Sequence, residues 1–506
     1  MSKLNQKLDN YFGVTKSGSS VKVEIYAGIA TFLAMAYILA TNPIMMQGFA
    51  ATNDAGELFI PLARTAALLI ATALGALLGT VLMAVFAKMP LAQAPGMGLN
   101  AMIGTLLLGS VFGTNSFTYA NLMLVVLLSG VVFLALSFIP AGKDKLTGNR
   151  VTIREKVFDG IPSSLRTAIP VGIGLFIAFI GLKNAQIVIA DGATLLAIQK
   201  FNVWTLGNGA CQAIVALFGL VVIAVLAHYK VKGAVVIGIL SATLLAMPLG
   251  VVNWDMIAGN DGVSWKFWEN FGKFFSLNSE EGAFGLVFSE GFKMPAGSIF
   301  SVIVLIITFA MIDMFDTMGT LVGCATNAGL VDERGKPLNY AKVMYSDSIA
   351  TVTGSIFGTS TVTTFVESGA GIAVGGKTGL TALVVAGFFF LSMFVLPIFA
   401  FIPSAAAASA LIYVGVLMIG QVKKIDFTNI RLAVPAFITI IGMPLTYSIT
   451  NGIGLGILSY VAISVVTYLV DLIKGKKNGK KAKWSISIVT LVIAALFLVY
   501  FLVPTV

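Results

Sequence analysis

Long apolar stretches alternate along almost the whole chain with short polar or glycine- and proline-containing breaks. A helix needs about 20 apolar residues to cross the hydrocarbon core of a bilayer, so each stretch of this length predicts a membrane span. Fourteen spans are predicted, at 23–47, 62–87, 91–112, 119–140, 168–187, 209–228, 231–250, 297–324, 343–358, 360–376, 378–401, 404–421, 430–448 and 450–473. A further run, 485–503, follows a lysine-rich segment and predicts either a fifteenth crossing or a helix lying on the membrane.

The distribution of lysine and arginine orients these spans. Cytoplasmic loops carry an excess of Lys and Arg, so alternate loops should differ if the spans are counted correctly. With a cytoplasmic N-terminus, most of these residues fall on the cytoplasmic side. The opposite side keeps Arg64, Lys183, Lys200, Lys266, Lys273 and Lys293. Segment 1–22 lacks the apolar core and cleavage site of a signal peptide, so we expect the first span to direct insertion into the plasma membrane.

Fourteen spans divide into two sets of seven, and an odd number per set turns the second set upside down relative to the first. Inverted repeats of this kind are characteristic of secondary transporters. Short sequence echoes support the repeat, because 166–182 resembles 404–420 and 232–242 resembles 451–461. The predicted fold class is therefore an all-α polytopic membrane protein with 7+7 inverted repeats.

The third span of each set is interrupted. The segment QAPGMGLNAMIG (93–104) contains Pro95, which lacks a backbone donor, and TVTTFVESGAGIAVGG (361–376) begins with a β-favouring run. Unpaired backbone at membrane depth survives only where it lines a cavity or is buried in protein. We therefore expect short extended pieces in spans 3 and 10, with half-helix N-termini directed at a substrate site. Close packing of glycines without a site is the alternative.

Composition excludes a soluble protein, because 58% of the residues are hydrophobic and 11% are charged, against about a quarter charged in soluble domains. The net charge of +10 is distributed over loops, where lipid headgroups rather than nucleic acid are the expected partner. Cys211 and Cys324 lie in apolar stretches and predict buried thiols. The single histidine, His228, ends span 6. We expect no catalytic residue, no metal ligand and no cofactor.

Three acidic residues lie inside predicted spans, where each costs about 2.5–3.5 kcal/mol on insertion scales. Asp313 and Asp316 are three residues apart on one helical face, and Glu367 lies near Gly369 at the break in span 10. No Lys or Arg lies within these segments. A carboxyl buried without a countercharge favours its protonated form, which suits a carrier coupled to H⁺, with Na⁺ as the alternative ion. Together with the amide of Asn100, these acids suit a neutral, planar, hydrogen-bonding ligand.

The ordered set of motifs resembles the AzgA-like purine permeases, the guanine/hypoxanthine and adenine branch of the nucleobase:cation symporters, which are related to the uracil and xanthine permeases. The resemblance covers nearly the whole chain. Its motifs are AGIATFLAMAYILATNP (27–43), QAPGMGLNA (93–101), DMFDTMGTLVG (313–323), ESGAGI (367–372) and PAFITIIGMPLTYSITNGIGLG (435–456).

The resemblance implies a core domain of spans 1–4 and 8–11, a gate domain of spans 5–7 and 12–14, and short strands that cross in spans 3 and 10. It implies that a purine is imported by proton symport as the core moves against the gate in an elevator-type cycle. It also implies that Asn100, Asp313 and Glu367 contact the purine or maintain its site, and that Asp316 affects transport or coupling. Gly98 and Gly369, at the breaks of spans 3 and 10, are added to the predicted substrate site. The buried acids Asp313 and Glu367 join Asp316 as predicted proton-coupling groups.

The predicted organisation follows from these spans. Its parts are a cytoplasmic N-terminus (1–22), the first core part (23–148), a linker with the first gate part (149–250), an extracellular loop (251–296), the second core part (297–401), the second gate part (402–473), and a Lys-rich segment with a C-terminal hydrophobic helix (474–506). The expected partners are a purine nucleobase and the lipid bilayer, with a homodimer as occurs among relatives.

Two other functions compete with purine transport. An anion carrier of the related sulfate-type fold would require a fixed cation at the site, and the spans offer acids instead. A membrane-embedded enzyme would use the buried carboxyls as acid–base groups, but no nucleophile or metal set accompanies them in the sequence.

Overall fold

The computed structural model describes most of the chain. The described residues are 3–47, 51–52, 58–59, 64–111, 117–143, 150–153, 156, 160–192, 194–202, 205–231, 233–252, 254, 263–278, 281–295, 297–332, 337–478, 484 and 486–502. Helices dominate them, and the prediction of an all-α polytopic membrane protein is confirmed.

Each predicted span corresponds to a helix, to a broken helix, or to a strand followed by a helix. Spans 1 to 7 are Val21–Met35 with Ile38–Met46, Thr65–Leu82 with the π-helical turn Met83–Ala87, Gln93–Pro95 with Met97–Val111, Tyr119–Phe138, Ser163–Asn184, Gly209–His228 and Ala234–Ala246. Spans 8 to 14 are Ile299–Ala328, Tyr340–Phe357, Val362–Thr364 with Ser368–Val374, Gly379–Ser392 with Leu396–Ala400, Ser404–Ile419, Ile430–Leu445 and Ile449–Asn478. Among the described residues, eight segments are long and apolar enough to cross a bilayer unaided.

The remaining elements lie outside the fourteen spans. They are the helices Lys3–Phe12, Phe267–Phe274, Leu286–Ser289 and Ile488–Leu502, the 3₁₀ turn Gly420–Lys424, and the paired strands Ala51–Thr52 with Leu58–Phe59, Pro140–Lys143 with Arg150–Thr152, and Val188–Asp191 with Leu195–Ile198.

Polar side chains and glycines fix the ends of several spans. The Ser20 hydroxyl accepts a hydrogen bond from a first-turn amide of span 1, and Thr118 and Asn121 form a reciprocal capping box at the start of span 4. Spans 8 and 9 end at Gly329 and Gly358, whose φ angles of 68° and 84° are left-handed. Glycine adopts these angles without the steric cost that a side chain adds.

The interrupted spans 3 and 10 meet through two short antiparallel strands. Gln93 pairs with Thr364 and Pro95 pairs with Val362, and every residue of both strands is buried. The pairing satisfies backbone groups that the broken helices leave without intrahelical partners. The expected strands in spans 3 and 10 are therefore confirmed.

Two glycines let the neighbouring spans lie against these strands. A Cβ atom at Gly79 of span 2 would lie 2.8 Å from Cγ1 of Val362, and one at Gly354 of span 9 would lie 2.7 Å from Cγ2 of the same residue. Both distances are far below ordinary van der Waals contact. Any side chain at either position would push the crossing strands away.

Helix packing divides the spans into two groups. In the first group, span 1 packs on spans 10 and 11, span 2 on spans 9 and 11, and span 4 on spans 8 and 9. In the second group, span 5 packs on spans 12 and 13, span 6 on spans 7 and 12, and span 13 on span 14. The division into a core domain and a gate domain, with its boundaries, stays a prediction.

The segments around the linker and the C-terminus differ in part from expectation. The linker at the start of 149–250 contributes the strand Arg150–Thr152, which pairs with Pro140–Lys143 where span 4 ends. Part of the chain between this strand and span 5 lies outside the described residues. The run after span 14 forms the helix Ile488–Leu502, which packs on spans 14 and 8. Thr490 of this helix donates a 2.7 Å hydrogen bond to the carbonyl of Gly160.

The predicted extracellular loop contains the helix Phe267–Phe274, and part of the loop lies outside the described residues. Trp265 and Trp268 are 63% and 60% exposed. Exposed tryptophans beside membrane spans are typical of the bilayer interface.

Candidate functional site

A cavity lies between the two packing groups. Its open space, mouth included, is about 580 Å³. Spans 1, 3, 8 and 10 of the first group and spans 5 and 12 of the second supply its walls. The lining residues are Tyr37, Met97, Pro170, Phe315, Asp316, Gly319, Thr320, Thr364, Phe365, Val366, Glu367, Val414, Met418 and Gln421.

Glu367 lies in the wall of the cavity at the break in span 10. It is the residue that precedes the half-helix Ser368–Val374, so the crossing strand and the half-helix place it between them. Its side chain is half-buried, and Oε1 accepts a 2.7 Å hydrogen bond from the Tyr37 hydroxyl. The prediction that Glu367 marks a helix break is confirmed.

Asp316 is the second carboxyl in the wall. It lies in the middle of span 8, is half-buried, and accepts a 3.4 Å hydrogen bond from the hydroxyl of Thr363 in the crossing strand. Glu367 and Asp316 line the same cavity, where two ionised carboxyls repel each other. None of the lining residues is lysine, arginine or histidine. The site therefore offers an acidic, hydrogen-bonding surface between aromatic and apolar side chains.

Asp313 lies one turn before Asp316 but does not line the cavity. It is 1% exposed, and its Oδ2 accepts a 3.2 Å hydrogen bond from Thr351 of span 9. The three-residue spacing predicted that both acids lie on one helical face. Residues i and i+3 nevertheless differ by roughly 60° around the helix axis, and this difference gives the two carboxyls different neighbours. Asp313 thus lies behind the wall of the cavity.

Asn100 also lies behind the cavity. It is fully buried, its amide nitrogen lies 3.4 Å from the Pro95 carbonyl oxygen, and its amide oxygen accepts a hydrogen bond from Ser360. These contacts join the start of the span 3 helix to the segment leading into span 10.

The two glycines predicted at the site have different surroundings. A Cβ atom at Gly98 would lie 2.8 Å from Cγ2 of Ile173 in span 5, so Gly98 is a point of close contact between the two packing groups. A Cβ atom at Gly369 would meet open space. Neither glycine is among the lining residues.

The sequence reasoning missed a buried carboxyl, Asp347 of span 9. It is 0% exposed, and its Oδ1 accepts hydrogen bonds from Thr317 at 2.6 Å and from the Gln93 amide at 3.1 Å. Thr317 in turn accepts a 3.4 Å bond from the backbone amide of Thr364, which lines the cavity. The rule that identified the other acids, a carboxyl inside an apolar run, applies equally to Asp347.

Tyr37 was missed as well, although it lies within the quoted motif 27–43. The helix of span 1 is broken beside it, between Met35 and Ile38, where the sequence AMAYIL contains neither proline nor glycine. No local sequence signal indicated that break.

Comparison with protein families gives one match that covers most of the chain. The family model described as "Permease family" matches residues 22–455. The chain is 36% identical over 460 residues to the adenine permease AdeP of Escherichia coli, covering 91% of each protein. It is 36% identical over 452 residues to the guanine/hypoxanthine permease PbuO of Bacillus subtilis, covering 89% of this chain and 93% of that one.

Solved structures share the fold at low identity. The transmembrane domain of a cyanobacterium bicarbonate transporter, BicA, gives a TM-score of 0.56 at 16% identity, covering 86% of this chain and 97% of that one. The murine Solute Carrier 26 family member A9 anion transporter, in its inward-facing state, gives 0.54 at 12% identity, covering 93% and 73%. At such identities the likeness concerns the fold alone.

Proposed function

From the premise that the chain belongs to the Permease family, as the resemblance to purine permeases predicted, we propose that it is a secondary active transporter that imports purine nucleobases. Guanine and hypoxanthine are the proposed substrates, with adenine as the alternative. The observation that carries the proposal is the cavity between the two packing groups, whose walls combine two carboxyls with aromatic rings and no cationic side chain. Relatives that cover about nine-tenths of the chain are named adenine and guanine/hypoxanthine permeases.

The chemistry of the walls suits a neutral heterocycle. Glu367 and Asp316 accept hydrogen bonds from ring or exocyclic N–H groups when ionised, and they donate one when protonated. Phe315 and Phe365 supply apolar ring surface beside them. A purine presents both N–H donors and ring-nitrogen acceptors on a planar frame, so it fits walls of this kind.

An anion carrier is the second candidate, because the fold is shared with two anion transporters. An anionic substrate would face the two carboxyls of the cavity without a lysine, arginine or histidine in its walls. Placing like charges together in a partly dry site is unfavourable. The site therefore favours the nucleobase.

We propose H⁺ as the coupling ion, with Na⁺ as the alternative. Carboxyls in the wall of a cavity can take up a proton from one side of the membrane and release it when the site opens to the other side. Glu367 and Asp316 are the proposed groups. Asp313, which lies behind the wall, is proposed to take part through its neighbours.

The proposed cycle moves the core against the gate. We place the protein in the plasma membrane with its N-terminus in the cytoplasm. In that orientation Pro170 and Thr320 of the cavity lie in the cytoplasmic halves of spans 5 and 8, and Gln421 lies in the 3₁₀ turn that follows span 12 on the same side. The cavity then faces the cytoplasm. Alternating access requires these walls to separate and to re-form toward the outside. A homodimer through the gate is part of the proposal.

Uptake of radiolabelled hypoxanthine into cells that lack their own purine transport tests the function. The expected result is saturable uptake that unlabelled purines inhibit and that a proton uncoupler abolishes, with no effect of replacing Na⁺ by choline. Competition by adenine, guanine, hypoxanthine and xanthine ranks the substrates. Absence of uptake, with the protein shown to be in the membrane, would refute purine transport; loss of uptake on Na⁺ replacement would refute H⁺ coupling.

A further inference from the structure

Three interrupted spans meet at one point of the cavity wall. Tyr37 lies at the break in span 1, Met97 begins the half-helix of span 3, and Glu367 precedes the half-helix of span 10. All three line the cavity. The Tyr37 hydroxyl lies 2.7 Å from Oε1 of Glu367 and 3.4 Å from the sulfur of Met97.

The phenol has a single proton, so it donates to one acceptor at a time. A carboxyl oxygen at 2.7 Å is a much stronger acceptor than a thioether sulfur at 3.4 Å, and the proton therefore points at Glu367. Tyr37 is 2% exposed, so its ring is fixed by the surrounding protein. Among the described residues, Oε2 of Glu367 has no side-chain donor.

From this geometry we propose that Tyr37 is the positioning residue of the transport site: its hydroxyl holds Oε1 of Glu367 and so selects Oε2 as the atom that meets the ligand. The inference rests on the proposed function and adds to it the residue that orients the ligand-binding carboxyl. The ligand class it implies is a heterocycle that offers Oε2 one ring N–H or one ring nitrogen.

The arrangement works in both protonation states of the carboxyl. In the ionised form, Oε1 accepts from Tyr37 and Oε2 accepts an N–H of the ligand. In the protonated form, Oε1 must still accept, so the proton resides on Oε2 and is donated to a ring nitrogen or carbonyl of the ligand. Tyr37 thus fixes which oxygen carries the proton.

A half-buried glutamate without this hydrogen bond would sample several rotamers. Ordering such a side chain on binding costs affinity, and a preformed hydrogen bond removes that cost before the ligand arrives. The expected consequence of losing the hydroxyl is weaker binding, with little change in the rate at which the loaded carrier moves.

The test is Tyr37→Phe, which keeps the ring and removes the hydroxyl. We expect KM for hypoxanthine uptake to rise about tenfold, which corresponds to about 1.4 kcal/mol, while the maximal rate stays within about twofold. Tyr345→Phe is the matched control: it removes a hydroxyl that lies 3.4 Å from the Ser137 carbonyl, between spans 9 and 4, and its KM should equal that of the wild type.

A double variant separates positioning from direct ligand contact. If Tyr37 acts through Glu367, adding Tyr37→Phe to Glu367→Ala should change affinity by less than about twofold, because the side chain that the hydroxyl orients is already gone. Binding of labelled hypoxanthine to the purified protein gives the Kd where uptake is too slow. A further tenfold loss in the double variant would mean that Tyr37 contacts the ligand directly, and would overturn the proposal.

The remaining outcomes are equally decisive. If the wild type transports hypoxanthine and Tyr37→Phe has the same KM, the proposed function stands and the positioning role is refuted. A Tyr37→Phe protein that fails to fold, or that loses only maximal rate, would assign the hydroxyl to structure and also overturn it. Wild-type protein without any purine uptake would instead contradict the proposed function, since the comparison of variants would then have no transport to measure.

Discussion

The contact between Gly98 of span 3 and Ile173 of span 5 offers a direct test of how the two packing groups fit together. Gly98→Ala would place a methyl group 2.8 Å from Cγ2 of Ile173, where ordinary contact begins at 3.4 Å, so the methyl intrudes by about 0.6 Å. Both residues lie on helices, which makes the intrusion hard to relieve without moving span 3 away from span 5.

The magnitude follows from two opposing effects. Overpacking of this kind costs about 1–3 kcal/mol, whereas alanine improves on glycine inside a helix by at most about 1 kcal/mol. Gly98→Ala should therefore raise the free energy of the arrangement in which residue 98 faces Ile173 by about 1–2 kcal/mol. That corresponds to a change of about 5–30-fold in the population of this arrangement.

The assay compares uptake by Gly98→Ala, by Ile173→Leu and by the double variant. We expect Gly98→Ala to lower the maximal rate of hypoxanthine uptake about 5–30-fold at an equal amount of folded protein. Leucine lacks the Cγ2 atom and keeps the volume of isoleucine, so the double variant should recover to within about threefold of Ile173→Leu.

Two results would refute this reasoning. Wild-type rates in Gly98→Ala would show that the two helices separate easily and that the close contact is unimportant. If adding Ile173→Leu to Gly98→Ala does not restore uptake, the added methyl group acts on the ligand rather than on span 5. That result would instead support the predicted role of Gly98 in substrate binding.

Two further substitutions test the buried carboxyls. Asp347→Ala should lower the melting temperature more than Asp347→Asn. Alanine leaves the Thr317 hydroxyl without this acceptor and leaves the Gln93 amide with only its 3.5 Å bond to Thr364, and an unpaired buried donor costs about 1–3 kcal/mol. Equal melting temperatures of the two variants would refute this. Glu24 is 0% exposed, and its carboxylate caps the start of span 11 by accepting hydrogen bonds from the backbone amides of Lys377 and Thr378 and from the Thr381 hydroxyl. Glu24→Ala should therefore speed amide hydrogen exchange at residues 377–381 more than Glu24→Gln does. Unchanged exchange at these residues would contradict the capping role.

Much of the fold was predictable because the bilayer imposes a length on each helix. The apolar runs located all fourteen spans, and Pro95 with the β-favouring residues before Glu367 indicated the crossing strands that the structure contains. The strand in the linker was not predicted. Its pairing joins Arg150–Thr152 to Pro140–Lys143, and a short pairing of this kind depends on the partner rather than on local pattern.

The site was predictable in part. Glu367 and Asp316 were found because an acid inside an apolar run is costly, and the structure places both in the wall of the cavity. Burial cost alone does not say which way a side chain points, so Asp313 and Asn100 could not be distinguished from wall residues. Tyr37 was hidden because tyrosine in a span is unremarkable until a partner 330 residues away is seen.

The pairing of the two crossing strands also governs how the protein is made. Gln93 and its partner Thr364 are 271 residues apart in the chain, so the first half of the site leaves the ribosome long before the second. Until span 10 is inserted, the broken backbone of span 3 lacks the hydrogen bonds that bilayer interior cannot supply. The proposed site is thus completed late in biogenesis, and neither half of the chain builds it alone.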